Sequence, residues 1–174
     1  WWIDRSTDSL IAAMKSGDKQ RIIHWEGFLG HYMADAHQPL HTVLNYNGQL
    51  TGNDGIHFRY EIGMTDLYLS RYAVEQKRVR QVHDPLQYAF RILRETSTLA
   101  DSVIHADTRA MAHLSRAEKT ALKNEFDIHR DSEYFQQLYH ELGSMTWSRL
   151  DLASNRIAAY WNYAWRQAGR PTLP

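Results

Sequence analysis

At 174 residues the chain is long enough for one domain with a sizeable core, and 43% hydrophobic with 23% charged residues place it among globular proteins rather than disordered or membrane-embedded ones. Twenty Lys and Arg balance twenty Asp and Glu, which removes any global attraction to polyanions. Ten histidines and no cysteine leave imidazole and carboxylate as the available metal ligands and exclude a disulfide framework. No apolar run approaches the length of a membrane span, and no signal peptide is visible.

Apolar spacing is helical throughout, with no alternating segment long enough for a sheet, so the expected fold is all-α in a single domain over 1–174. A first helix is expected over 7–16, stopped by Gly17, and Asp18 caps a second that runs to about residue 37 before Pro39 ends it. "NYNGQLTGND" (45–54) is turn chemistry. "IHFRYEIG" then reads as a short helix to Gly63, followed by a helical segment over 65–80. Asp84 with Pro85 opens a long helix over 85–109, and Ser115 with Glu118 forms a capping box. Two last helices are expected over 132–142 and 144–168, closed by Gly169 and Pro171.

The chemistry gathers in residues 31–61, "HYMADAHQPLHTVLNYNGQLTGNDGIHFRYE". On a helical wheel His24, Phe28, His31 and Asp35 fall within about 60° of one another at the border of an apolar arc, which directs His31 and Asp35 inward. An i,i+4 pair offers two ligands from consecutive turns. His57 and Glu61 repeat the device, and His41 lies two residues beyond the proline. Imidazoles and carboxylates without thiolate suit zinc, and three protein ligands with an open fourth position mark a catalytic site. His41, His57 and Glu61 would supply those three. Zinc lowers the pKa of bound water toward about 7, so the chemistry suggested is phosphoester hydrolysis with metal-bound hydroxide as nucleophile. The competing reading of each pair is a surface ion pair.

"HYMADAHQPLH" followed by "HFRYE" resembles the superfamily that joins bacterial zinc-dependent phospholipases C to the single-strand-specific zinc nucleases of the P-one type. That pattern is a histidine, an aspartate four residues on, Gln-Pro-hydrophobic-His, then a histidine with a carboxylate four later. His31, Asp35, Gln38-Pro39-Leu40-His41, His57 and Glu61 supply every element.

The resemblance implies an all-helical, secreted or periplasmic phosphodiester hydrolase with up to three zinc ions. His41, His57 and Glu61 would hold one zinc completely, while His31 and Asp35 would help hold a second. Asp35 would also bridge to the third, and it is the residue assigned a catalytic part. Gln38 and Pro39 would serve the turn that swings His41 back. The match is dense over about residues 20–62. The family's upstream ligands have no counterpart, since no histidine precedes His24, and the chain is therefore expected to be the C-terminal portion of a longer protein.

The substrate stays open between a phospholipid head group and single-stranded nucleic acid, with no stable nucleic-acid complex expected. Glu61 is as in the phospholipases, whereas "DAHQPLH" leans toward the nucleases and "TGND" partly echoes their Gly-Gly-Asn loop. The alternative of another class is a non-catalytic helical binding module with a structural metal or none.

Other groups have plainer expectations. His24 reads as a core histidine bonded to a neighbour, His37 as a solvent or turn contact, and Asp84 as a helix cap. Asp101 with His105, and Asp127, His129 and Asp131, read as ion pairs or caps. The aromatic stripe from Trp147 to Trp165 reads as core, and "KRVR" at 77–80 as a solvated face.

Overall fold

The computed structural model describes residues 1–75, 81–122 and 132–174. It is 73% helix, and with no strand among the described residues the class is all-α. In chain order the helices are α1 (Trp2–Ser16), α2 (Lys19–Asp35), a 3-10 turn (Pro39–Thr42), α3 (Ile56–Phe58), a π-helix (Arg59–Met64), α4 (Thr65–Tyr68), a second 3-10 turn (Leu69–Arg71), α5 (Pro85–Ser97), α6 (Ala100–Ala110), α7 (Arg116–Ala121) and α8 (Glu133–Gln167). None is long and apolar enough to cross a membrane.

Two compact units divide the chain. The first comprises Trp1–His37, Glu75–Arg94 and Leu150–Pro174; its core joins Leu10 and Met14 of α1, Leu29 and Met33 of α2, Ile92 of α5, and Tyr160 and Ala164 of α8. The second comprises Gln38–Val74 and Glu95–Arg149; its core joins Leu40, Ile56, Tyr60 and Met64 to Val103 and Ala106 of α6 and Phe135 and Leu138 of α8. The metal-ligand pattern is thus shared out: His31 and Asp35 belong to the first unit, and His41, His57 and Glu61 to the second.

Local signals set several boundaries. Asp18 accepts from the Arg21 amide, Asp84 from the Gln87 amide, and Ser115 and Glu118 cap each other reciprocally, each satisfying amides left open at a helix start. Elsewhere tertiary contacts overrule the local text. Helix α1 begins at Trp2, five residues ahead of expectation, because the Thr7 hydroxyl donates back to the Ile3 carbonyl at 2.7 Å instead of capping forward, and Ile3 and Leu10 extend the buried stripe. The helix expected over 65–80 instead ends at Arg71, where Tyr72 turns extended and stacks on Trp147.

The helix expected over 85–109 breaks after Ser97. There Thr98 donates to the Glu95 carbonyl and Thr96 accepts from Arg149, the hydroxyl competition that weakens helix interiors. Conversely, the two helices expected at the C-terminus are one. Gly143 lies inside α8 rather than at a helix end, and a Cβ there would meet the Tyr139 ring at 2.6 Å. That ring cannot easily yield, being stacked on Tyr68 at 3.9 Å and bonded to Trp147. The basic run at 77–80 and the group Asp127, His129 and Asp131 lie outside the described residues.

Candidate metal centre

His41, His57 and Glu61 come together at one point. The Nε2 atoms of the two imidazoles are 3.1 Å apart, and Glu61 Oε2 lies 3.3 Å from His41 Nε2 and 2.8 Å from His57 Nε2. The rings are nearly parallel, 4.9 Å between centroids. Each imidazole is 27% exposed and the carboxylate 36%, so the three side chains are partly shielded from solvent. Among the described residues these are the three whose ligand atoms could hold a metal together.

The backbone places them by three different local devices. His41 rides on the 3-10 turn, which Leu40 anchors by burying its side chain in the core containing Val103 and Ile104 of α6. His57 occupies the single turn of α3, and Glu61 lies in the π-helix that follows. A π-turn widens the helix locally and is frequent at functional positions.

Neighbouring groups fix the orientation of the ligands. His57 Nδ1 lies 3.0 Å from the Tyr46 carbonyl. A carbonyl only accepts, so Nδ1 carries a proton, and Nε2 is the nitrogen turned toward His41 and Glu61. Gln38 acts at both ends of its amide: its Oε1 caps the 3-10 turn through the Leu40 amide, and its Nε2 donates to Glu61 Oε2 at 2.9 Å. Hydrogen bonds from His41 and His57, then Gln38, hold the Glu61 carboxyl well below the usual carboxylate range, against the opposing effect of burial. The carboxylate is therefore ionised across the ordinary pH range.

The donor set fits zinc. Two imidazole nitrogens and one carboxylate oxygen, without thiolate, are zinc ligands at about 2.0–2.2 Å, and tetrahedral ligands at that distance stand about 3.3 Å apart. The observed separations of 2.8–3.3 Å are near that value. An imidazole nitrogen and an ionised oxygen facing each other so closely call for a proton or a cation between them.

A second layer went unread in the sequence. Arg59, 2% exposed, makes a forked contact to Asp107 of α6 at 2.9 and 3.0 Å, and its Nε donates to Tyr134 of α8 at 2.9 Å. Asn53 donates to Asp107 at 2.7 Å, Tyr134 donates to the same carboxylate, and Arg59 reaches the Asp54 carbonyl at 2.7 Å. The network ties the turn before α3 and the start of the π-helix to α6 and α8, and so braces the elements carrying His57 and Glu61. Asp107 left a trace in the sequence. It is an acidic residue on the face of α6 that buries Val103, Ile104 and Ala110.

The other pair differs from expectation. His31 Nε2 lies 3.3 Å from Asp35 Oδ2, so the i,i+4 contact forms, but the His31 side chain is 68% exposed rather than directed inward. The wheel located these residues at the border of the apolar arc, and in α2 that border is exposed: His24 is exposed too, packed on Phe28 at 4.7 Å rather than in the core. His37, in contrast, is buried, with Nδ1 donating to the Met33 carbonyl and Nε2 beside Arg156. Asp101 and His105 are exposed. Of the C-terminal stripe, Tyr160 and Ala164 are core while Trp161 is exposed.

Compared with known proteins, the chain matches no protein-family model, no curated protein and no solved structure.

Proposed function

We propose that the protein is a zinc-dependent hydrolase of phosphoester bonds, related to the zinc phospholipases C and P-one-type nucleases, with His41, His57 and Glu61 holding one ion. The observation that carries this reading is the convergence of three oriented ligand atoms separated by 2.8–3.3 Å. Zinc bound there supplies Lewis acidity toward a phosphoryl oxygen and water acidified to near neutral pH.

The chain's own groups prepare that chemistry. The Tyr46 carbonyl keeps the His57 proton on Nδ1, Gln38 holds the ligating oxygen of Glu61, and Leu40 fixes the turn bearing His41. His31 and Asp35 would help hold a second ion, with Asp35 bridging to a third and taking the catalytic part. A secreted or periplasmic setting belongs to the same proposal.

Zinc analysis of the purified chain, together with hydrolysis of bis(p-nitrophenyl) phosphate before and after chelation, tests the reading. The expected result is about one tightly held zinc and turnover that chelation removes and zinc restores. Zinc bound without turnover would favour a binding module with a structural metal, and neither zinc nor turnover after reconstitution would favour a metal-free one.

A further inference from the structure

The loop at 43–55, which leads into His57, presents apolar side chains outward. Leu44, Leu50 and Tyr46 are 88%, 70% and 55% exposed. No charged residue occurs between His41 and Asp54. Exposed leucines on a slack loop would signify little, but this loop is locked.

The amides of Gly48, Thr51, Asn53 and Gly55 donate to carbonyls within the loop at 3.0–3.2 Å. The Asn45 side chain accepts from the Leu50 amide and the Gln49 side chain donates to the Leu44 carbonyl, both at 2.8 Å, which ties the two leucine backbones into one turn. Gly48, at φ 76°, closes it where a Cβ would meet Asn53 at 2.4 Å. With these polar groups paired internally, the tip can lose water without orphaning them.

We propose that this loop docks the protein on the surface of a phospholipid bilayer, with Leu44 and Leu50 entering the acyl boundary and Tyr46 at head-group level. Interfacial segments take apolar side chains at that depth, and tyrosine favours the wet edge. The Tyr46 carbonyl, bonded to His57 Nδ1, connects the docked loop to the ligand cluster. The inference rests on reading that cluster as the seat of phosphoester hydrolysis. The loop also argues against a polynucleotide: it has no cation to meet phosphates, and Tyr46 is its single ring on which a base could stack.

The test is co-sedimentation of the full chain with phosphatidylcholine vesicles, for the wild type and L44S/L50S, beside zinc-dependent hydrolysis of bis(p-nitrophenyl) phosphate in solution. The wild type should partition onto these zwitterionic vesicles with little salt dependence, because no charge takes part. The double variant should partition about 100-fold less, about tenfold per leucine, with soluble turnover unchanged. Equal partition of the two proteins, or none by the wild type, overturns the docking. Salt-sensitive binding of a single-stranded oligonucleotide that needs the same leucines overturns it in favour of nucleic acid. Vesicle binding lost only in the double variant, with no zinc-dependent turnover in either protein, upholds the docking and overturns the hydrolase reading instead.

Discussion

His57 with Glu61 and His31 with Asp35 are the same device in the sequence, a histidine and a carboxylate one helical turn apart. Their surroundings differ. The first pair is part-buried, joined by His41 and oriented by Tyr46 and Gln38. The second lies on a helix face where the His31 side chain is 68% exposed. Spacing sets which side chains can meet; what surrounds them sets whether the meeting is rigid enough to hold an ion. An exposed pair of this kind contributes only about 0–1 kcal/mol.

Substitutions in each pair separate the two cases. His41→Ala should have the largest effect, lowering zinc affinity more than about 100-fold, since loss of a mere orienting partner already costs about 10–100-fold; competition with a chromogenic chelator measures it. Asp107→Asn should follow, destabilising the fold by about 3–5 kcal/mol in urea unfolding because Arg59 is left as a buried charge without its partner. Gln38→Ala should lower zinc affinity by about 10–100-fold while urea unfolding shows only the loss of one cap, about 0.5–2 kcal/mol. His31→Ala should move stability by less than about 1 kcal/mol and leave zinc at His41, His57 and Glu61 in place. Equal losses of that zinc in His31→Ala and His41→Ala would erase the distinction between the two pairs.

The helical class was legible because its signals are local: apolar spacing, the Asp18 and Asp84 caps, and the reciprocal Ser115 and Glu118 box. The triangle of His41, His57 and Glu61 was legible too, as spacing around a proline. Other features depend on residues far away in the chain. Arg59 meets partners 48 and 75 positions on, so nothing within its own window marks it as buried. Gly143 looks like a helix stop, but its role is set by the Tyr139 ring, held in turn by Tyr68. The inward direction expected for His31 failed for a related reason. A wheel gives an angle about the axis of α2, and which neighbours cover that angle is a tertiary fact.

The most direct test of the central claim is a zinc-edge X-ray absorption spectrum of the zinc-loaded chain, beside that of His41→Ala. The expected spectrum has a first shell of nitrogen and oxygen at about 2.0–2.2 Å with the multiple-scattering signature of two imidazoles, reduced to one or lost altogether in the variant. A spectrum of hydrated zinc in the wild type, or an imidazole signal unchanged by His41→Ala, would contradict it.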